Sequence, residues 1–279
     1  MKSFAGKMVY ITGGSSGIGL EMGKLFSAGG ADVLLLARNL DKLQEAARAV
    51  ENSRLSPGQK ISTLSADVAD HVDVDRKMTA ALERHGAPDI LVNSAGINKY
   101  ADHFENITHA MFDEVIKTNL YGTRNMISAL LADMKPRKGH IVILSSAAGL
   151  FGMFGYTSYG TSKAALLGFA DSLRYELRPL GMKLTVVCPP EVDTPMNLDE
   201  ARTLPAEGRA MKNLAGIMSP EYAAAAIVKA VAKGQYLCIP GPLTRFLYLM
   251  HRLSNGRLTR ATSDATVWLA RRKIGRTRS

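Results

Sequence analysis

Seven short apolar runs, separated by stretches of helical periodicity, constrain this chain more than any other feature. Residues 7–11, 33–37, 61–66, 89–92, 141–144, 183–187 and 236–239 read as strands, being too short for helices and mostly rich in Val, Ile and Leu. Between them lie helical segments, opening near Gly17, at 71–84, at 108–134, up to about Leu177, and from Ser219. Strand–helix alternation of this kind predicts an α/β fold with a doubly wound parallel sheet, because parallel strands need long crossovers. Such sheets bind ligands beyond the C-terminal ends of their strands. The 279 residues suffice for one sizeable core, with some chain to spare. No internal repeat or low-complexity stretch interrupts the alternation.

The residues that follow each strand are those a dinucleotide needs. After the first comes Thr12-Gly-Gly-Ser-Ser-Gly-Ile-Gly19. Gly13, Gly17 and Gly19 allow a tight turn and close backbone approach, and Ser15, Ser16 and Ile18 lead into a helix N-terminus that attracts pyrophosphate. After the second, the place of a ribose-binding acid is taken by Ala37 and Arg38, with Lys42 one helical turn on. Two cations and no acid suit a 2′-phosphate, so NADPH is expected rather than NADH. Asp67 and Val68 end the third strand, where the Asp can receive an adenine amino group. Asn93-Ser-Ala-Gly96 ends the fourth, and Ala95 and Gly96 are small enough to let a flat cofactor pass.

Residues 145–163 carry the chemistry. Tyr159 and Lys163 lie four apart on a predicted helix and share a face. The Lys163 ammonium is therefore expected to lower the Tyr159 phenol from its usual value of about 10. Such a phenol exchanges a proton with a carbonyl or alcohol oxygen, and Ser146 at the strand's end can hydrogen-bond that oxygen. Only one of Ser145 and Ser146 can point inward.

Other classes are excluded or left without support. No run of 18 or more apolar residues suggests a membrane span. No Cys/His spacing suggests a metal site. Cys188 and Cys238 sit in strand-like runs and read as buried thiols of a reducing compartment. The chain's first residues run directly into a strand, so a cytoplasmic location is expected.

Taken together, these motifs resemble the short-chain dehydrogenase/reductase family over roughly residues 5–240. Thr12-Gly-x-x-x-Gly-x-Gly19, Asn93-x-Ala-Gly96, Asn119, Ser146, Tyr159-x-x-x-Lys163 and Pro189…Thr194 stand in family order. The resemblance implies a Rossmann domain with a seven-stranded sheet of order 3-2-1-4-5-6-7, assembled as a homodimer or homotetramer. It implies Tyr159 as proton donor or acceptor, Ser146 orienting the carbonyl, and Lys163 gripping the nicotinamide ribose. Asn119 would hold a water of the proton relay, and Pro189, Val192 and Thr194 would contact the cofactor. The chain departs from the family's usual pattern at Ser94 and at Pro189-Pro190.

Pro189-Pro190-x-x-Asp193-Thr-Pro195, residues 35–43 and residues 149–156 are similar to one branch, the 3-ketodihydrosphingosine (3-dehydrosphinganine) reductases. Those enzymes reduce the ketone of a long-chain base with NADPH in sphingolipid biosynthesis. Leu150, Phe151, Met153, Phe154 and Tyr156 would make an apolar wall for an alkyl chain, with Met196, Met211, Leu214, Ile217 and Met218 of a lid at about 190–218. Glu191, Asp193, Asp199 and Glu200 could pair with a substrate ammonium, or simply be a solvated face. The alternatives are reduction of another apolar carbonyl (retinoid, steroid or 3-oxoacyl) and a non-catalytic NADP-sensing or membrane-adaptor role.

The formal charge of +10 is concentrated beyond the expected domain of 1–241. Residues 245–279 hold Arg245, Arg252, Arg257, Arg260, Arg271, Arg272, Lys273, Arg276 and Arg278 against Asp264 alone, a net of +8. A basic, partly apolar extension over 242–279 suits peripheral contact with an anionic membrane. Nucleic acid is not expected, because no binding module accompanies the charge.

Overall fold

The computed structural model describes residues 4–277, without the side chains of residues 199, 213–215 and 274–277. The side chains of Asp199, Leu214 and Arg276, and the whole of Arg278, lie outside what is described.

The alternation folds as one parallel sheet of order β3-β2-β1-β4-β5-β6-β7. The strands are β1 (Met8–Thr12), β2 (Asp32–Ala37), β3 (Ile61–Ser65), β4 (Ile90–Asn93), β5 (His140–Leu144), β6 (Lys183–Val187) and β7 (Leu237–Cys238). Side chains alternate across the sheet, and both faces are covered. Tyr10, Leu34, Leu91, Ile141 and Leu184 face one layer of helices, where Val74, Met126 and Leu166 pack. Val9, Ile11, Leu35, Val92 and Val142 face the other, against Met22, Phe26, Leu43 and Ile227.

On one face lie α1 (Gly17–Ala28) and α2 (Leu40–Glu51); on the other lie α3 (His71–His85), α4 (His109–Ile116) and α5 (Gly122–Met134). The segment expected as one helix over 108–134 is continuous but not uniform. Between α4 and α5, residues Lys117–Tyr121 form a π-helical turn. Asn119 sits at its centre, fully buried. Helices α6 (Ala147–Leu150) and α7 (Thr157–Leu177) follow β5, and α8 (Pro195–Glu200) and α9 (Ala206–Ala215) form the lid after β6. Pro220–Lys233 is α10, capped as expected by the Ser219 hydroxyl, which accepts from the Tyr222 amide.

The basic extension is two helices, α11 (Pro242–Leu253) and α12 (Arg257–Thr277). It folds back onto the lid, where Arg271 Nε donates to Glu207 Oε1 at 3.1 Å. Among the described residues, no helix is long and apolar enough to cross a membrane.

At the N-terminal end of the central strand β4, Asp89 joins three parts of the chain. Its carboxylate accepts from the Met8 amide at 2.9 Å and pairs with Lys7 at 3.1 Å and Arg137 at 2.8 Å. Burial opposes the charge, but these donors hold its carboxyl below the usual range. Asp89→Ala should cost about 1–3 kcal/mol in urea unfolding at neutral pH, because it strands a buried amide and releases two cations. A depressed carboxyl contributes stability above its unfolded value of about 3.9 and loses it as pH falls through the folded value. The gap between variant and wild type should therefore narrow below about pH 4.

Candidate active site

The C-terminal ends of the strands open into one cavity of about 880 Å³. Every residue expected to bind cofactor or carry chemistry lines it, except Asn93 and Asn119. Those two lie just behind the wall, each no more than 3% exposed.

One half of the cavity is shaped for a dinucleotide. Ser16 is the N-cap of α1, yet its side chain makes no capping bond, and the first turn holds no acid. The free N–H groups therefore face the cavity with an uncompensated positive dipole. A Cβ on Gly13 (φ +66°) would stand 2.9 Å from the Ala95 backbone, and one on Gly19 would stand 2.4 Å from the Gly13 carbonyl oxygen. Arg38 and Lys42 line the far end, both exposed, and Asp67 and Val68 border the same half.

The other half holds Ser146, Tyr159 and Lys163. Ser145 turns away: its hydroxyl donates to the Lys163 carbonyl at 2.7 Å. Ser146 caps the short α6, accepting from the Ala148 amide at 3.1 Å, and its hydroxyl stands beside the Tyr159 phenol. Lys163 Nζ lies 5.6 Å from the Tyr159 ring centre and donates to the Leu144 carbonyl at 2.8 Å. The expectation that Lys163 lowers the phenol is corrected here. Burial pushes Tyr159 up to about 12, and Ser146 only partly offsets it. Burial also pulls Lys163 down to about 8, so the ammonium is itself desolvated rather than a strong source of positive field.

Asn119 braces this geometry. Its Nδ2 donates to the Ile97 carbonyl and to Ser162 Oγ, both at 3.0 Å, and its Oδ1 accepts from the Ile97 amide at 2.8 Å. The π-helical turn thus ties the loop after β4 to α7. Asn93 donates to the Val142 carbonyl at 3.3 Å, joining β4 to β5.

The expected apolar wall is partly redrawn. Phe151, Met153, Tyr156, Met196 and Met211 line the cavity. Leu150 instead packs against the core, and Phe154 meets the His103 ring edge-on at 5.2 Å. Ile217 is exposed, and Met218 pairs with Val192 in the lid. The missing wall comes from α11, whose Leu243 and Leu247 face the cavity. Of the acidic group, Glu191 and Glu200 line the cavity, whereas Asp193 is exposed. Lys212 of α9 pairs with both carboxylates, at 2.6 and 2.5 Å. Neither Lys212 nor α11 carried a sequence signal for the site, because both reach it only through tertiary folding. Among the described residues, no cluster is suited to a metal ion.

Residues 7–204 match the family model described as short chain dehydrogenase. The chain is similar to the bovine (Bos taurus) protein named 3-ketodihydrosphingosine reductase, 37% identical over 233 residues, spanning 83% of this chain and 70% of that one. It is similar to a Danio rerio protein named 3-dehydrosphinganine reductase, 36% identical over 239 residues, spanning 85% and 72%. A short chain dehydrogenase/reductase from Burkholderia phymatum, solved in complex with NAD, superposes with a TM-score of 0.79 over 90% of this chain and 95% of its own, at 21% identity. That structure establishes likeness of fold.

A lysine titrating near pH 8 is an unusual group, since an exposed one titrates near 10.4. In the ligand-free protein, reductively methylated and isotope-labelled, NMR should show one lysine titrating about two pH units below the rest. That resonance should vanish in Lys163→Met. Titration of every lysine near 10 would mean that burial of Lys163 does not shift it.

Proposed function

The chain belongs to the short chain dehydrogenase family and is a nicotinamide-dependent oxidoreductase, and on that premise we propose that it reduces the ketone of a hydrophobic long-chain substrate, 3-ketodihydrosphingosine, with NADPH. One observation carries the reading: the Tyr159 and Ser146 hydroxyls meet in a cavity whose remaining wall is largely apolar. The names borne by the bovine and fish relatives support the choice of ketone.

When bound, the nicotinamide supplies a hydride for the carbonyl carbon. The protein's own residues handle the oxygen. Tyr159 and Ser146 hold their hydroxyls toward one point, ready to hydrogen-bond a carbonyl oxygen as negative charge develops on it. Tyr159 then gives up its proton to complete the alcohol. Lys163, fixed by the Leu144 carbonyl, would hold the nicotinamide ribose. Asn119 keeps α7 and the loop after β4 in register. For the 2′-phosphate of NADPH, Arg38 and Lys42 offer two cations at a strand end without an acid.

The exposed apolar face of α11 supports a peripheral contact with the cytoplasmic face of a membrane. Leu243, Phe246, Leu249 and Leu253 recur along one side of the helix, and all are about half exposed or more. Arg245 and Arg252 flank them, also exposed. Leu243 belongs at once to this face and to the cavity wall. A lipid ketone would then pass from bilayer to site without crossing water. Assembly as a homodimer or homotetramer belongs to the same reading.

Tyr159→Phe should lower NADPH-dependent reduction by about 10²–10⁴-fold while leaving dinucleotide affinity near wild type, since general acid catalysis commonly has that worth. Arg38→Asp should weaken NADPH by about 10–100-fold and improve NADH, because a charge-assisted contact is replaced by repulsion. Stopped-flow and fluorescence titration read both; unchanged turnover in the first variant, or a wild-type preference for NADH, would overturn the corresponding assignment. Flotation with anionic vesicles should decrease in Phe246→Asp and at about 1 M salt, where the Debye length falls to about 3 Å. Equal flotation of variant and wild type would rule out docking through α11.

A further inference from the structure

Beside Tyr159 the cavity holds a buried polar cluster that the reductase reading leaves unused. Glu200 is 3% exposed. Its Oε1 accepts from the Tyr156 hydroxyl, and from Lys212 Nζ at 2.5 Å. Its Oε2 accepts from Asn98 Nδ2 at 3.0 Å. Lys212 also pairs with Glu191 at 2.6 Å. Two carboxylates thus share one ammonium, and a carboxylate withdrawn from water is stable only when fully partnered.

Asn98 supplies an independent sign of a missing ligand. It is 3% exposed and lines the cavity, yet its Oδ1 has no hydrogen-bond partner. Glu200 fixes the amide's orientation, since the reverse would set a carbonyl oxygen against a carboxylate. Three buried side-chain atoms lack a partner among the described residues, and only Asn98 Oδ1 belongs to a residue lining the cavity. Among the described residues, Glu191, Glu200 and Lys212 therefore leave one excess negative charge, with one unfilled acceptor on Asn98 beside it. A primary ammonium answers both, because it brings a positive charge and three donors.

The cluster also adjoins the chemistry. Tyr156, bonded to Glu200, meets the Tyr159 ring edge-on with centres 5.6 Å apart. The Glu200 charge helps hold the Tyr159 phenol up. A cation at Glu200 would accordingly sit close to a carbonyl that hydrogen-bonds Tyr159.

We propose that Glu200 and Asn98 Oδ1 bind the ammonium of a 2-amino-3-ketone, the amine standing on the carbon next to the reacting carbonyl. Lys212, held by Glu191, shares the pocket and sets its selectivity. The inference rests on the ketone-reductase reading above and assigns it a specificity device.

The test compares a long-chain 2-amino-3-ketone with the 3-ketone of equal length lacking the amine, each with NADPH. The quantity read is the ratio of their kcat/KM values, which cancels general damage to the site. Wild type should favour the amine. Glu200→Gln should cut the ratio on the order of tenfold or more, as expected for loss of a charge-assisted contact. Lys212→Met should raise it, because a competing cation is gone; if Glu200→Gln does not fold, this variant decides alone. An unchanged ratio in both variants, or a wild type that treats the two ketones alike, overturns the inference and leaves the reductase reading standing. No NADPH oxidation with either ketone overturns that reading, and the inference falls with it.

Discussion

A buried ammonium is expensive, and Lys163 is 4% exposed in this fold. The protein meets that cost with the Leu144 carbonyl, the last of β5, to which Nζ donates at 2.8 Å. The bond is possible only because β5 ends where the second turn of α7 passes over it. Ser145 fastens the same crossing from the other side by donating to the Lys163 carbonyl. The approach is close enough that a Cβ on Gly149 would stand 2.8 Å from that carbonyl oxygen. Tyr159, one turn earlier on α7, and Ser146, one residue after Ser145, take their places from this crossing. The reactive hydroxyls are thus set by the contact of one strand end with one helix.

The electrostatic consequence differs from a simple pairing of cation and phenol. With Tyr159 held up to about 12, the hydroxyl keeps its proton at neutral pH. A phenol in that state is the form that can give a proton to a carbonyl oxygen. Desolvation governs Tyr159 and Lys163 alike, raising one and lowering the other, so neither group can be read from its neighbour alone.

Much of this was legible in the sequence because it depends on local pattern. Strand runs such as 183–187 are legible from their short apolar stretches, and the others shift by a residue or two at their ends, where hydrogen bonding rather than composition decides. Gly13, Gly17 and Gly19 were readable because a tight approach admits no other residue type. The π-helical turn at Asn119 was not, since it is a matter of which backbone groups bond to each other, and no residue type in 117–121 marks it. The pairing of Lys212 with Glu191 and Glu200 was hidden for a different reason. Nothing local marks a lysine on α9 as the partner of carboxylates from the start of the lid and α8. Leu150 and Phe154 misled because alternating apolar residues in a loop do not reveal which side of it meets the core.

The cavity's two walls differ in kind, and that difference bears on how a ligand must lie. The lid end carries Glu191, Glu200, Tyr156 and Lys212, whereas the side formed by Phe151, Met153, Leu243 and Leu247 is mainly apolar, and its polar groups are the uncharged hydroxyls of Thr244, Thr259, Thr262 and Ser263. Reversing an amphipathic ligand would bury its polar head against Leu243 and leave the lid end's acceptors without new donors. Each misplaced polar group costs more than an alkyl chain regains by burial of a few methylenes. On the proposed reading, the polar groups of the lid end orient such a ligand, and α11 receives its chain. Because α11 is fastened to the body through Arg245, whose Nε donates to the Ile239 carbonyl at 2.7 Å, this apolar wall begins at the end of β7. On the proposed reading, polar recognition and apolar reach thus fall to different segments, the lid after β6 and the helix after β7, and neither contains the crossing that holds Tyr159.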